Sequence, residues 1–164
     1  MLYCLLFAIK ISGFYPMPKN QDHPRSCCPL TNALEFLGDR WSLLVIRDLM
    51  FFGRHEFREF LEAGEGVATN ILSDRLKNLT TAGIIESRKH PTNGTKKLYF
   101  LTAKGKALLP LLREMILWGD THCEGSQAPA EKIAYLRDHG DACMKEILES
   151  LKKWELENLG EEIV

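Results

Sequence analysis

GVATNILSDRLKNLTTAGIIESRKHPTNGTKKLYFLTAKG, residues 66–105, decides the fold of this chain. Within it Leu72, Leu76 and Leu79 recur at helical spacing and make one apolar stripe. The opposite side carries Asn70, Ser73, Asp74, Lys77 and Asn78, all able to hydrogen-bond. Gly83 follows the last turn, where a residue of positive φ commonly ends a helix. The spacing predicts a helix over 68–82. Ile84-Ile85 then opens an extended segment through Arg88, Pro91-Thr92-Asn93-Gly94 turns it, and 96–101 returns. In the returning strand Leu98 and Phe100 alternate against Lys97 and Tyr99, and Arg88, Lys89, Lys96 and Lys97 flank the turn. A polar helix followed directly by a basic hairpin suits a protein that lays the helix in a DNA groove and grips phosphates beside it.

Working outward, a short helix is expected over 31–37 and a second over 40–52, with Trp41, Leu44, Val45, Leu49 and Phe52 on its inner face and Gly53 at its end. A third, 56–61, turns Phe57, Phe60 and Leu61 inward before the Gly64-Glu65-Gly66 turn. Downstream, Thr102 is placed to cap one long helix reaching His122, with Pro110 forcing a kink or a fresh turn inside it. That helix is apolar on more than one side (Leu108, Leu109, Leu111, Leu112, Met115, Ile116, Leu117, Trp118), which suggests packing both on its own wing and on a partner chain. Two further helices are expected, 130–137 and 141–156. In the second of them Met144, Ile147, Leu148, Leu151 and Trp154 form a stripe serving either the core or a dimer contact. The expected class is mainly α with a small antiparallel β-ribbon. At 164 residues it can bury an ordinary core without metal or disulfides.

Charge distribution is more telling than the net charge of −1. Over 68–106 there are eight Lys/Arg against two Asp/Glu, a local +6; over 123–164 there are five against ten, a local −5. Such asymmetry marks a nucleic-acid surface in one part of a chain. The competing reading is a solvated charged face.

These residues carry a resemblance to the HxlR-type winged helix-turn-helix transcriptional regulators, relatives of the MarR group. The shared marks are Cys28-Pro29, Gly38-x-x-Trp41, Phe57 and Leu72-x-x-Arg75-Leu76, then Gly83-Ile84, Tyr99-x-Leu101-Thr102-x-x-Gly105 and Trp118-Gly119. They occur in the right order across about 95 residues. The resemblance implies a leader over 1–27, a winged-helix DNA-binding domain with its dimerisation helix over 28–122, and an acidic helical extension over 123–164. The apolar excess of 103–122, and in one reading the stripe of 141–156, point to a homodimer, the odd number of cysteines points to the cytoplasm, and the resemblance implies repression of transcription.

In such a dimer the recognition helices would enter major grooves about 34 Å apart, so the double-stranded operator should be an inverted repeat. Thr69, Asn70, Ser73, Asp74, Lys77 and Asn78 are the candidates for base or phosphate contact. Arg75 matches the family's recognition-helix arginine and is favoured for bidentate reading of guanine; the alternative is an ion pair with Asp74 or Glu86. Arg88, Lys89, Lys96 and Lys97 should position the wing on phosphates. Ser42 either offers its hydroxyl and N–H to a phosphate or caps the second helix.

Of five cysteines, Cys28 stands where the family carries an N-terminal cysteine that in several members senses electrophiles or oxidants. Its place before a helix start favours the thiolate, a small buried side chain being the other reading, and neighbouring Cys27 leaves the reactive thiol undefined. No cofactor is expected, and a metal site from His23, Cys27, Cys28 or His122-Cys123 has poor spacing. An enzyme is not expected either, since no phosphate-binding Gly loop, metal-binding His pair or nucleophile elbow is present. The remaining alternative is a helical protein-interaction module that does not bind DNA. Residues 1–11 are apolar but too short to span a bilayer, which takes about 20 residues. The polar run MPKNQDHPRSCCP suggests that translation starts at Met17.

Overall fold

Pro29 opens α1 (Pro29–Leu37), at a helix position where its missing N–H leaves no bond unmade. The computed structural model describes residues 28–163; the expected leader, Met17, His23, Cys4 and Cys27 lie outside them. The chain divides into two units, Met1–Glu35 and Phe36–Val164. In the first, the described residues are Cys28 and the opening turns of α1.

The second unit holds the rest. Asp39 starts α2 (Arg40–Phe51) by accepting the N–H groups of Trp41 and Ser42, each at 3.0 Å. The short α3 (Phe57–Leu61) begins with a capping box, in which the Glu59 carboxylate reaches back to the Glu56 N–H at 2.8 Å. α4 (Thr69–Thr81) buries Leu72, Leu76 and Leu79, as the stripe predicted, and Gly83 closes it at φ +65. β1 (Ile85–Lys89) and β2 (Lys97–Leu101) pair antiparallel from Ile85 opposite Leu101 to Lys89 opposite Lys97. His55 and Glu56 extend the ribbon: the Tyr99 N–H donates to the His55 carbonyl at 2.8 Å, and Glu56 bridges to Leu98.

Three expectations about packing need correction. The buried face of α2 is wider than expected, taking in Ile46 and Met50, because the helix packs against α4, β2 and, beyond them, the C-terminal helix. Trp41 and Leu44 are only half-buried. Phe52 caps the helix outside the core, its ring 5.3 Å from the Arg47 guanidinium and 5.0 Å from that of Arg54.

The single helix expected after Thr102 is two: α5 (Ala103–Lys106), capped by the Thr102 side chain, and α6 (Leu109–His122), with Pro110 in its first turn. A proline tolerates a first turn but blocks a helix arriving from four residues upstream, so the break falls at Ala107-Leu108. The Gly105 of the wing-end motif has a steric reason. A Cβ there would collide with the Ile84 carbonyl oxygen and the Leu101 side chain.

The third correction concerns β2. Tyr99, expected opposite the apolar residues, packs with Leu101 on the main core, while Leu98 and Phe100, on the other face, are buried as expected at 5% and 1% exposed. A two-stranded ribbon ordinarily leaves one face to water. Here the C-terminal chain reaches that face. α7 (Ala130–Asp138) packs on α6, where Arg113 donates to the carbonyls of Leu136 (3.1 Å) and Arg137 (3.2 Å) and so satisfies the end of α7. α8 (Gly140–Leu159) returns to the core through Leu151, with Met144 and Ile147 alongside. Trp154 stacks on His55 with ring centroids 3.4 Å apart, and Arg88, lying over Phe100, pairs with Glu161. Of the two readings of the 141–156 stripe, Leu151 thus serves the chain's own core, while Leu148 is exposed.

Candidate nucleic-acid interface

α4 divides its residues cleanly. Its inner stripe fills the core, while Thr69, Asn70, Ser73 and Lys77 are exposed, and no hydrogen bond or ion pair engages their side chains among the described residues. Asp74 and Asn78 are also exposed but bonded to each other at 3.2 Å.

Arg75 is held. Its guanidinium contacts Asp74 at 3.0 Å and Asp39 at 3.3 Å, and its Nε is buried without a hydrogen-bond partner among the described residues. The Asp74 pair is the alternative the sequence offered; Glu86 is not a partner, and Asp39, 36 residues away, was not foreseen. Asp39 thereby joins two tasks, starting α2 and tethering α4. Burial pushes its carboxyl upward, but the Ser42 hydrogen bonds and Arg75 outweigh that and hold it below the ordinary range. Its motif position, between Gly38 and Trp41, was the signal available in the sequence.

Ser42 needs correcting as a phosphate contact. Its Oγ donates to Asp39 at 2.6 Å, its N–H donates to the same carboxylate, and the residue is 2% exposed. Asp39, not Ser42, is the cap; Ser42 serves it as a donor from inside the helix, and a group facing the core cannot reach a phosphate.

On the wing, Lys89 and Lys97 are exposed and directly opposite each other across the ribbon, without ion-pair partners among the described residues. Arg88 and Lys96 are engaged, with Glu161 at 2.6 Å and Glu56 at 2.5 Å respectively. The Lys96 hydrogen bond in turn holds the Glu56 carboxyl below its usual range. Lys104 donates to the Ala82 carbonyl and Lys106 to buried Glu155. Of the eight cations of 68–106, Lys77, Lys89 and Lys97 are therefore the ones left without partners among the described residues.

Sequence reasoning missed two buried clusters. Asp48, 3% exposed, pairs with Arg47 and Arg54, and Arg47 continues to Glu65. His55, 5% exposed, bonds the Tyr99 carbonyl through Nδ1 at 2.8 Å beneath Trp154. Burial lowers its pKa against the opposing pull of Tyr99, Glu59 and Glu155.

In the N-terminal unit, Cys28 precedes α1, and hydrogen bonds from the Thr31 backbone and hydroxyl and the Leu30 backbone hold its thiol below the ordinary range. Burial raises the Cys143 thiol instead, and Cys123 is exposed. Among the described residues no group of His, Cys, Asp and Glu is arranged to hold a metal ion, and no helix is long and apolar enough to cross a membrane.

Comparison with known proteins gives a consistent result. The profile described as HxlR-like helix-turn-helix matches residues 36–127. The HTH-type transcriptional regulator YodB of Bacillus subtilis is 35% identical over 65% of this chain and 94% of its own. A regulator from Synechocystis, sll1512, is 36% identical over 54% of this chain and 64% of its own. Among solved structures, YodB in its reduced form superposes with a TM-score of 0.50 at 36% identity, covering 62% of this chain and all of that one. The oxidized form of the redox regulator HypR gives 0.53 at 26% identity, covering 59% of this chain and 99% of that one.

Proposed function

The chain belongs to the HxlR-like helix-turn-helix family and is a transcriptional regulator with a winged helix-turn-helix DNA-binding domain, and from that premise we propose a cytoplasmic homodimeric repressor of an inverted-repeat operator. The observation that carries this reading is the outward face of α4. Thr69, Asn70, Ser73 and Lys77 stand exposed with their hydrogen-bonding groups uncommitted, on a helix whose other face is fully packed. These four read base edges or nearby phosphates; Arg75 joins them by exchanging Asp74 and Asp39 for guanine or phosphate. Asp74 and Asn78 lie on the same exposed surface and orient it. Lys89 and Lys97 hold phosphates from the wing, with Arg88 and Lys96 joining when their carboxylate partners are displaced.

Dimer formation uses α6. Its Leu109 and Leu112 are buried within the chain, while Leu111, Met115 and Trp118 are exposed at helical spacing and offer a self-complementary apolar face. Cys28 makes the regulator responsive to oxidants or electrophiles. Support comes from its lowered pKa and from two relatives, one known in a reduced form and one a redox regulator by name.

Fluorescence anisotropy with DNA from the gene's upstream region, across a salt series, tests the reading. Arg75→Ala should relax sequence preference, whereas Lys97→Ala should weaken all duplexes about equally and reduce the salt slope by about 0.9. Retention of full affinity and selectivity by both variants would reject the assigned face.

A further inference from the structure

The acidic end of the chain occupies one of the wing's cations. α8 stops at Leu159, and Gly160, at φ +77, turns the chain back in a conformation that a side chain would disfavour. Each of the next three residues is then fastened. Glu161 accepts from Arg88 at 2.6 Å, and Glu162 pairs with Lys152 at 2.8 Å. Ile163 donates its N–H to Glu155 at 3.0 Å and accepts the Lys106 ammonium on its carbonyl at 2.6 Å. Arg88 itself lies over the Phe100 ring, 5.4 Å from its centroid, on the face of the ribbon that the C-terminal chain reaches.

A carboxylate on a guanidinium satisfies the same donors that a phosphate would. We propose that Glu161, delivered by the Gly160 turn, stands in for a DNA phosphate at Arg88 and must be displaced when the wing engages DNA. The proposal rests on the reading of Arg88 as a phosphate contact. An isolated surface pair is weak because ordering two side chains offsets the attraction. Here the anchoring at Glu162 and Ile163 has already ordered the backbone that carries Glu161, so the carboxylate is presented at high effective concentration. Both partners remain substantially exposed, 40% for Arg88 and 58% for Glu161, so the latch is displaceable by the polyanion.

The test is a binding cycle on the full chain with duplex DNA of arbitrary sequence at fixed salt, using wild type, Glu161→Gln, Arg88→Gln and the double variant. Glu157→Gln on α8, whose carboxylate faces Lys153, removes the same unit of charge without touching the wing. Glu161→Gln should tighten binding about two- to five-fold beyond the Glu157→Gln control, the range of one exposed ion pair. The gain should vanish when Arg88 is also replaced. An equal gain from Glu157→Gln, or a gain that survives Arg88→Gln, would overturn the latch. If Arg88→Gln weakens binding equally with and without Glu161, the latch fails while the phosphate reading stands. If Arg88→Gln changes nothing in the Glu161→Gln background, the phosphate reading itself is wrong.

Discussion

Replacing Glu155 by Leu should destabilise the protein far more than its place on the largely exposed C-terminal helix suggests. Glu155 is 2% exposed and bonds the Lys106 ammonium at 2.9 Å and the Ile163 N–H at 3.0 Å. Lys106 is itself only 15% exposed, so removing the carboxylate strands a poorly hydrated ammonium. Breaking a buried pair from one side costs about 3–5 kcal/mol. Lys106 keeps the Ile163 carbonyl and some access to water, which places the expected loss near the lower end, about 3 kcal/mol. Replacing Lys106 by Met as well removes the stranded charge, so the double variant should recover more than half of that loss. Urea unfolding at one fixed protomer concentration measures both, followed by tryptophan fluorescence, to which Trp154, stacked on His55 in the folded state, contributes. A loss below about 1 kcal/mol would put the pair in the class of surface ion pairs. A double variant no more stable than the single one would show that the stranded ammonium is not the cause. Either outcome refutes the argument that α8 is bound to α5 by a buried charge.

Gly105→Ala should cost about 1–3 kcal/mol, read as a fall in Tm, because the added methyl meets the Ile84 backbone, which has little room to give. Stability should decline on mild acidification through His55. Its folded pKa lies below the unfolded value of about 6.5, so its contribution is complete above that pH and is lost as the pH falls through it. His55→Gln should flatten the slope of urea stability in that range, leaving the losses from Asp39 and Glu56, whose lowered pKa values act only below about 4. Cys28→Ser should abolish any diamide-induced, thiol-reversible loss of DNA binding, and persistence of that loss would move the sensor to another cysteine.

The recognition helix and wing were legible because their information is local. Leu72, Leu76 and Leu79 announce the buried stripe, Gly83 announces the helix end, and the ribbon follows from two extended runs about a turn. Pairings between distant residues were not legible. Arg75 could be matched to its neighbour Asp74 but not to Asp39, and nothing near Arg88 in sequence points to Glu161. The same limit explains β2. Leu98 and Phe100 are buried as their alternation implied, but the covering of both faces was not legible, because a segment more than fifty residues downstream reaches the second face and a strand cannot encode how many of its faces will be covered. Ser42 was ambiguous for a different reason: cap and anion site use the same hydroxyl and N–H, and only the position of Asp39 decides between them.

The distribution of the unpaired cations is the strongest physical indication of what the ribbon is for. Like charges directly opposite on paired strands are mutually unfavourable, by amounts of order 0.2–1 kcal/mol. Lys89 and Lys97 nevertheless face each other at the turn end of the ribbon, in a chain holding 22 acidic residues that elsewhere partner Arg75, Arg88, Lys96 and Lys106. A substitution of either lysine by Glu would convert the repulsion into a cross-strand pair, so stability alone does not account for the arrangement. The proposed phosphate contact would: two ammonium groups on one face of a ribbon repel in the free protein and would both be neutralised by a phosphate backbone running past them. On the proposed reading, the repulsion in the free ribbon and its affinity for DNA would be two expressions of the same pair of charges.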